Sequence, residues 1–102
     1  MTDKTERLFV YGIFLDEDNR KEYGMSNPRY TTVAGYITVG GGIVQAVPVQ
    51  SREIALTGLV VDMDSTRWAR LDRLEGGYDR IKVKTHGGED AWMYAARERN
   101  EA

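Results

Sequence analysis

The segment Leu71–Arg80 reads LDRLEGGYDR and sets one carboxylate, Glu75, directly before two glycines. At 100° per residue, Trp68, Leu71 and Glu75 fall within one narrow sector of a helix. Leu74 lies at the border of that stripe, and Arg67, Arg70 and Arg73 lie off it, on the side expected to face water. Glu75 therefore shares the face that Trp68 and Leu71 should bury, in the last turn before the glycine stop. The negative end of the helix dipole disfavours an anion there, and so does burial. Both raise the carboxyl pKa and make the group a better proton carrier near neutral pH. The alternative is a frayed helix end, with Glu75 turned to water or paired with Arg73 or Arg80.

Other groups with chemical potential carry less. His86 is the single histidine and falls in a hairpin turn signal, His86-Gly87-Gly88, with no ligand set around it. Asp16, Glu17 and Asp18 form an acidic run without a twelve-residue calcium pattern, and read as solvated charge. Gly40–Gly42 joins two strands and precedes no helix, so it reads as a turn and not as a phosphate loop. Arg20, Arg29 and Arg80 are each able to pair with a substrate carboxylate, with Arg80 nearest Glu75 in sequence. A plain surface or salt-bridge role is the ordinary reading for Arg80. Tyr78 and Tyr94 combine an apolar body with a polar tip, suited to a cavity wall or to packing at a rim.

The chain that must position these groups has 102 residues, which predicts a single domain spanning 1–102. A net charge of −2 gives no electrostatic footprint for nucleic acid or an anionic membrane. The absence of cysteine removes disulfides, thiolate metal sites and cysteine nucleophiles together. No apolar run approaches the ~20 residues of a membrane-spanning helix. The opening MTDKTERLFVYG lacks a signal peptide's apolar segment, so a cytoplasmic location is the default expectation.

Strands are predicted at Leu8–Tyr11, Thr31–Val39, Ile43–Val49, Ile54–Met63, Tyr78–Thr85 and Ala91–Arg97. Gly35 and Gly58 interrupt two of them, and Pro48 assigns the end of another to an edge or bulge. The polar stretch 16–30, broken by Gly24 and Pro28, reads as a loop with one helical turn. One clear helix follows Asp64 or Ser65 as cap and runs to Gly76. Phe9 is a plausible neighbour of Trp68 and Leu71 beneath it. Five to six strands, several with internal glycines, and one main helix predict an α+β fold: a curved or closed sheet with the helix alongside.

Three features resemble the gamma-glutamylcyclotransferase-like family. They are a strand ending in Tyr-Gly (LFVYGIFL), a helix ending in LDRLEGG followed by YDR, and an aromatic closing strand with Trp92-Met93-Tyr94. Their order and spacing cover almost the entire chain, and the middle one is the most specific. The resemblance implies a small mixed β-barrel with a helix alongside and a cavity at one end. It implies that Glu75 is the catalytic acid/base and that the loop Tyr11, Gly12, Ile13, Phe14 and Leu15 cradles the substrate through backbone N–H groups. The implied reaction is cleavage of a γ-glutamyl amide (a γ-glutamylamine or γ-glutamyl amino acid) by internal attack of the α-amine, releasing 5-oxoproline. Tyr78, Arg80 and Tyr94 complete the expected substrate contacts. No cofactor or metal is required, the partner is a small molecule, and the chain is expected to be a monomer or weak homodimer. The sequence departs from the family pattern at Ile13, where a small hydroxyl residue is usual, at the bulky Phe14, and at GGGIVQAVP, where a glycine–aromatic–proline segment is usual. These departures favour the alternative of a non-catalytic small-ligand- or partner-binding domain on the same fold.

Overall fold

The computed structural model describes residues 5–39 and 45–96. Seven strands and two helices appear in the order β1 (Thr5–Val10), α1 (Glu17–Glu22), β2 (Ser26–Ala34), β3 (Tyr36–Val39), β4 (Gln45–Pro48), β5 (Ala55–Asp64), α2 (Trp68–Leu74), β6 (Tyr78–Lys84) and β7 (Asp90–Ala96). Short 3₁₀ turns at Gly12–Leu15 and Ser65–Arg67 precede the helices. The predicted turn at Gly40–Gly42, and the ends of the predicted strands at Ile43, Val44 and Arg97, lie outside the described residues. No helix among the described residues is long and apolar enough to cross a membrane.

The fold is α+β, but the sheet is open where a closed barrel was expected. Five strands are ordered β2-β5-β1-β7-β6, and β3 and β4 form a separate two-stranded ribbon. β1 is central, antiparallel to β5 (Phe9 opposite Val60) and parallel to β7 (Phe9 opposite Met93). The physical reason for the open sheet lies at Gly35: the single strand predicted over 31–39 breaks there, and its second half leaves to pair with β4. The edges β2 and β6 are thus never laced together along their length. They are tied locally instead. The His86 N–H in the β6–β7 turn donates to the Thr32 carbonyl at 2.8 Å, and Arg29 on β2 reaches Glu89 at 3.4 Å.

Apolar alternation divides the core between the two sheet faces. Leu8 and Val10 face α2, with Leu59, Val61, Met63 and Leu71. Phe9 faces the other way, into a cluster with Val33, Ala46, Val60 and Met93. The expectation that Phe9 lies beside Trp68 and Leu71 is therefore wrong by one residue of register, which in a strand means the opposite face. Where β5 passes the end of β1 the backbones nearly touch. A Cβ at Gly58 would sit 2.3 Å from the Val10 carbonyl oxygen, so only glycine fits.

The stretch 16–30 also differs from expectation. Asp16 accepts hydrogen bonds from the Asp18 and Asn19 amides and so caps the six-residue helix α1, and Lys21 pairs with Glu17 at 3.3 Å. β2 then begins at Ser26 with a register shift between Ser26 and Arg29, which absorbs Pro28. An exposed edge strand needs no apolar alternation, so its polar residues gave no strand signal.

Candidate active site

The two elements that flank the site are built from local rules. β1 ends at Val10, and Tyr11 continues extended at φ −149°. Gly12 then takes φ +66°, a left-handed conformation that glycine adopts without strain, and turns the chain into the 3₁₀ turn Gly12–Leu15. The carbonyl end of that turn is held from α1: Asn19 Nδ2 donates to the Ile13 carbonyl at 2.8 Å. Arg20 Nη1 donates to those of Phe14 and Leu15, at 2.9 and 2.7 Å. The leading amides of such a turn have no carbonyl within it to bond, and Tyr11 supplies no side-chain cap. On the other flank, Asp64 caps the lead-in turn through the Thr66 amide, and α2 runs from Trp68 to Leu74. Glu75 leaves helical geometry at φ −96°, ψ 36° while its N–H still bonds the Leu71 carbonyl at 2.9 Å. Its own carbonyl accepts from Tyr78 N–H, also at 2.9 Å, so Gly76 and Gly77 form a tight link into β6.

Between these flanks lies a cavity of about 210 Å³. Tyr11, Gly12, Ile13, Phe14, Glu75, Tyr78 and Tyr94 all line it, together with Leu8, Phe9, Val10 and Leu74. Glu75 is half-buried, and burial raises its carboxyl pKa. Among the described residues no cation stands within ion-pair distance of it: Arg80 Nη1 lies 3.5 Å from Asp72, and its guanidinium packs over Trp68 at 4.1 Å and Trp92 at 5.3 Å. The alternative pairing of Glu75 with Arg80 is thereby excluded.

Three tyrosines share the cavity with the carboxylate. Tyr11 is pushed up to about 12, first by burial and further by the charge of Glu75, with the Ala46 amide opposing. Its hydroxyl donates to the Tyr94 carbonyl at 2.5 Å and accepts from Ala46 N–H at 3.0 Å, tying the ribbon to the sheet. Tyr78 is raised by burial and then by Glu75. Tyr94 donates its hydroxyl to Asp72, and burial followed by that carboxylate raises it well above the usual phenol range.

Not every expected residue arrives. Leu15 is exposed and does not line the cavity, because the 3₁₀ turn ends there and points it outward. Arg80 lines a neighbouring depression that shares only Tyr78 and Tyr94 with the cavity. Arg20 serves the 3₁₀ turn, and Arg29 pairs with Asp62 at 3.2 Å and with Glu89. Asp16 is a helix cap and His86 a turn residue. Five residues were missed: Leu8, Phe9, Val10 and Leu74, which line the cavity, and Asp72 beside it. Leu74 lines the cavity from the border of the buried stripe, since the helix ends beside it. Asp72, one turn before Glu75, anchors both Tyr94 and Arg80; its three-residue spacing from Glu75 was the available signal.

Residues 8–102 match the family described as Gamma-glutamyl cyclotransferase, AIG2-like. No curated protein sequence matches the chain. Among solved structures, the fold is similar to that of a protein from Arabidopsis thaliana, with a TM-score of 0.76 at 20% identity over 96% of this chain and 72% of that one. A protein from Pyrococcus horikoshii aligns with a TM-score of 0.71 at 18% identity, over 95% of this chain and 82% of that one. A structure named gamma-glutamyl cyclotransferase aligns with a TM-score of 0.70 at 16% identity, over 92% and 68%. At these identities the structural likeness shows the fold.

Proposed function

Because the chain belongs to the Gamma-glutamyl cyclotransferase, AIG2-like family, we propose that it cleaves a γ-glutamyl amide by internal cyclisation, releasing 5-oxoproline and an amine. The observation that carries this reading is one cavity lined both by the half-buried, cation-free Glu75 carboxylate and by the Tyr11–Phe14 segment. The substrate supplies its own nucleophile, so the protein needs a proton carrier and donors for the developing oxyanion.

In the proposed mechanism Glu75 takes a proton from the substrate α-ammonium. The freed nitrogen attacks the γ-carbonyl carbon, and its oxygen gathers negative charge against the amides of the 3₁₀ turn. Glu75 then delivers the proton to the amide nitrogen as the carbon–nitrogen bond breaks. The ring nitrogen loses a second proton, and the departing amine ends protonated in water. Holding the substrate curled contributes several kcal/mol, up to roughly 7–11 in ideal intramolecular cases.

A second reading, a non-catalytic small-ligand- or partner-binding domain, is favoured by the mostly apolar and aromatic lining around a single carboxylate. One screen separates the two. Wild-type protein is assayed for 5-oxoproline release across γ-glutamyl amines and γ-glutamyl amino acids, beside Glu75→Gln. Release that falls by at least ~10²-fold in the variant supports the proton-carrier role. Equal rates refute that role, and binding without any release favours the second reading.

A further inference from the structure

Tyr94 borders both the cavity and the neighbouring depression, and hydrogen bonds hold it at two points. Its hydroxyl donates to Asp72 on α2, and Arg80 Nη1 lies 3.5 Å from the same carboxylate. Its main-chain carbonyl accepts from the Tyr11 hydroxyl at 2.5 Å, directly before the 3₁₀ turn. Tyr94 is buried, and its ring meets Trp68 edge to face at 6.5 Å. A phenol has one proton to donate, and that of Tyr94 is committed to Asp72. The charges agree with that direction. Glu75 adds to burial in raising Tyr11 and Tyr78, whereas Tyr94 is raised by burial and then by Asp72, with Arg80 opposing.

Asp72 and Glu75 share the last turn of α2, closed by the bond from Glu75 N–H to the Leu71 carbonyl, so they move together. Tyr11 is likewise continuous with the turn Gly12–Leu15. The Glu75 carboxylate and the turn amides thus belong to different elements, and Tyr94 is bonded to both. We propose that Asp72 is a positioning residue: by holding the Tyr94 hydroxyl it sets the gap between Glu75 and the amides of the Gly12–Leu15 turn. A misplacement of about 1 Å in such a gap can cost about 10²-fold in rate. The directed hydrogen bond carries the effect, so an uncharged acceptor at position 72 should serve as well as the carboxylate. The kinetic consequence rests on the γ-glutamyl reading above; the geometric one does not.

The test compares wild type with Asp72→Ala, Asp72→Asn, Tyr94→Phe and the double variant of Asp72→Ala with Tyr94→Phe. Amide NMR of the free protein follows Gly12, Ile13 and Phe14 and needs no substrate. These amides should shift in Asp72→Ala and in Tyr94→Phe, and keep their wild-type positions in Asp72→Asn, whose side-chain oxygen still accepts the hydroxyl. Steady-state kinetics then uses the γ-glutamyl compound turned over fastest in the screen above. kcat should fall about tenfold in Asp72→Ala and in Tyr94→Phe, with KM within about twofold, and should fall no further in the double variant. Asp72→Asn should stay within about twofold of wild type. Losses that add to about 10²-fold in the double variant, unmoved turn amides in Asp72→Ala, or wild-type kcat in both single variants overturn the proposal. If wild-type protein releases no 5-oxoproline, the cyclotransferase reading fails and the amide pattern alone decides the role of Asp72. If Asp72→Ala does not fold, Tyr94→Phe and Asp72→Asn decide it: equal losses and equal amide shifts in those two refute the proposal.

Discussion

Tyr11→Phe isolates the bond that joins the β3–β4 ribbon to the main sheet. The tyrosine hydroxyl donates to the Tyr94 carbonyl at 2.5 Å and accepts from the Ala46 amide at 3.0 Å. Phenylalanine keeps the ring against the cavity and removes both bonds. Ala46 is 0% exposed, so its N–H would be stranded without water, at about 1–3 kcal/mol. The Tyr94 carbonyl has a second lone pair and should lose less, about 0.5–1.5 kcal/mol. The sum, about 2–4 kcal/mol, should lower the urea midpoint by about 1–2 M at an m-value near ~2 kcal/mol/M. A pH series adds a second signature. Tyr11 has a folded pKa raised from 10.0 to about 12, so the native state holds this proton more tightly than the unfolded chain. Stability from this group is complete below pH ~10 and is lost as pH rises through about 12. The alkaline loss should therefore be smaller in Tyr11→Phe, though not absent, because Tyr78 and Tyr94 shift in the same direction. A midpoint change corresponding to less than ~1 kcal/mol, with an unaltered alkaline limb, would refute the reasoning.

Glu75→Gln should be as stable as wild type or slightly more so at neutral pH. Its raised folded pKa means that the penalty is absent below the unfolded value near ~4.3 and grows as pH rises through the folded one, so the denaturant comparison belongs near pH ~7.5. A strong destabilisation there would make Glu75 a structural anchor. Gly58→Ala should cost about 3 kcal/mol or more by thermal melt, because its Cβ would overlap the Val10 carbonyl and the Phe9 ring, at 2.3 and 2.7 Å. A loss under ~1 kcal/mol would mean that β5 and β1 separate easily. Arg20→Ala should cost about 1–2 kcal/mol and raise KM severalfold, since it frees the carbonyls of Phe14 and Leu15; steady-state kinetics with an unchanged KM would disconnect α1 from the site.

What the sequence disclosed follows from where burial leaves a periodic trace. β1, β5, β7 and α2 have buried faces, and their apolar spacing located them to within a few residues. Glu75 was legible for the same reason, since its stripe-mate Leu71 is fully buried. The convergence of Tyr11–Phe14, Tyr78 and Tyr94 on one cavity came from the family resemblance and not from periodicity. β2 was half hidden because Ser26–Tyr30 lies at an edge with no core to face, and α1 because its residues are all polar and none is buried. The break at Gly35 was read as a kink within one strand, since the pairing of β3 with β4 is decided by partners distant from any local signal. Arg80 was misplaced because cation–π stacking on Trp68 and Trp92 depends on three separate elements meeting.

The open sheet leaves two borders at which another chain could add itself as a further strand. β2 carries Pro28, which has no N–H to offer, and an irregular register beside it. β6 carries Lys82 and Lys84 among its outermost residues, so that a second copy approaching in register would bring like charges together. The price of not closing the barrel is thus met by borders that resist templating. The unfolding-prone hazard in this molecule shifts to the ribbon, whose hold on the sheet includes the hydroxyl of Tyr11. Loss of that hydroxyl should therefore promote self-association on heating as well as lower the midpoint.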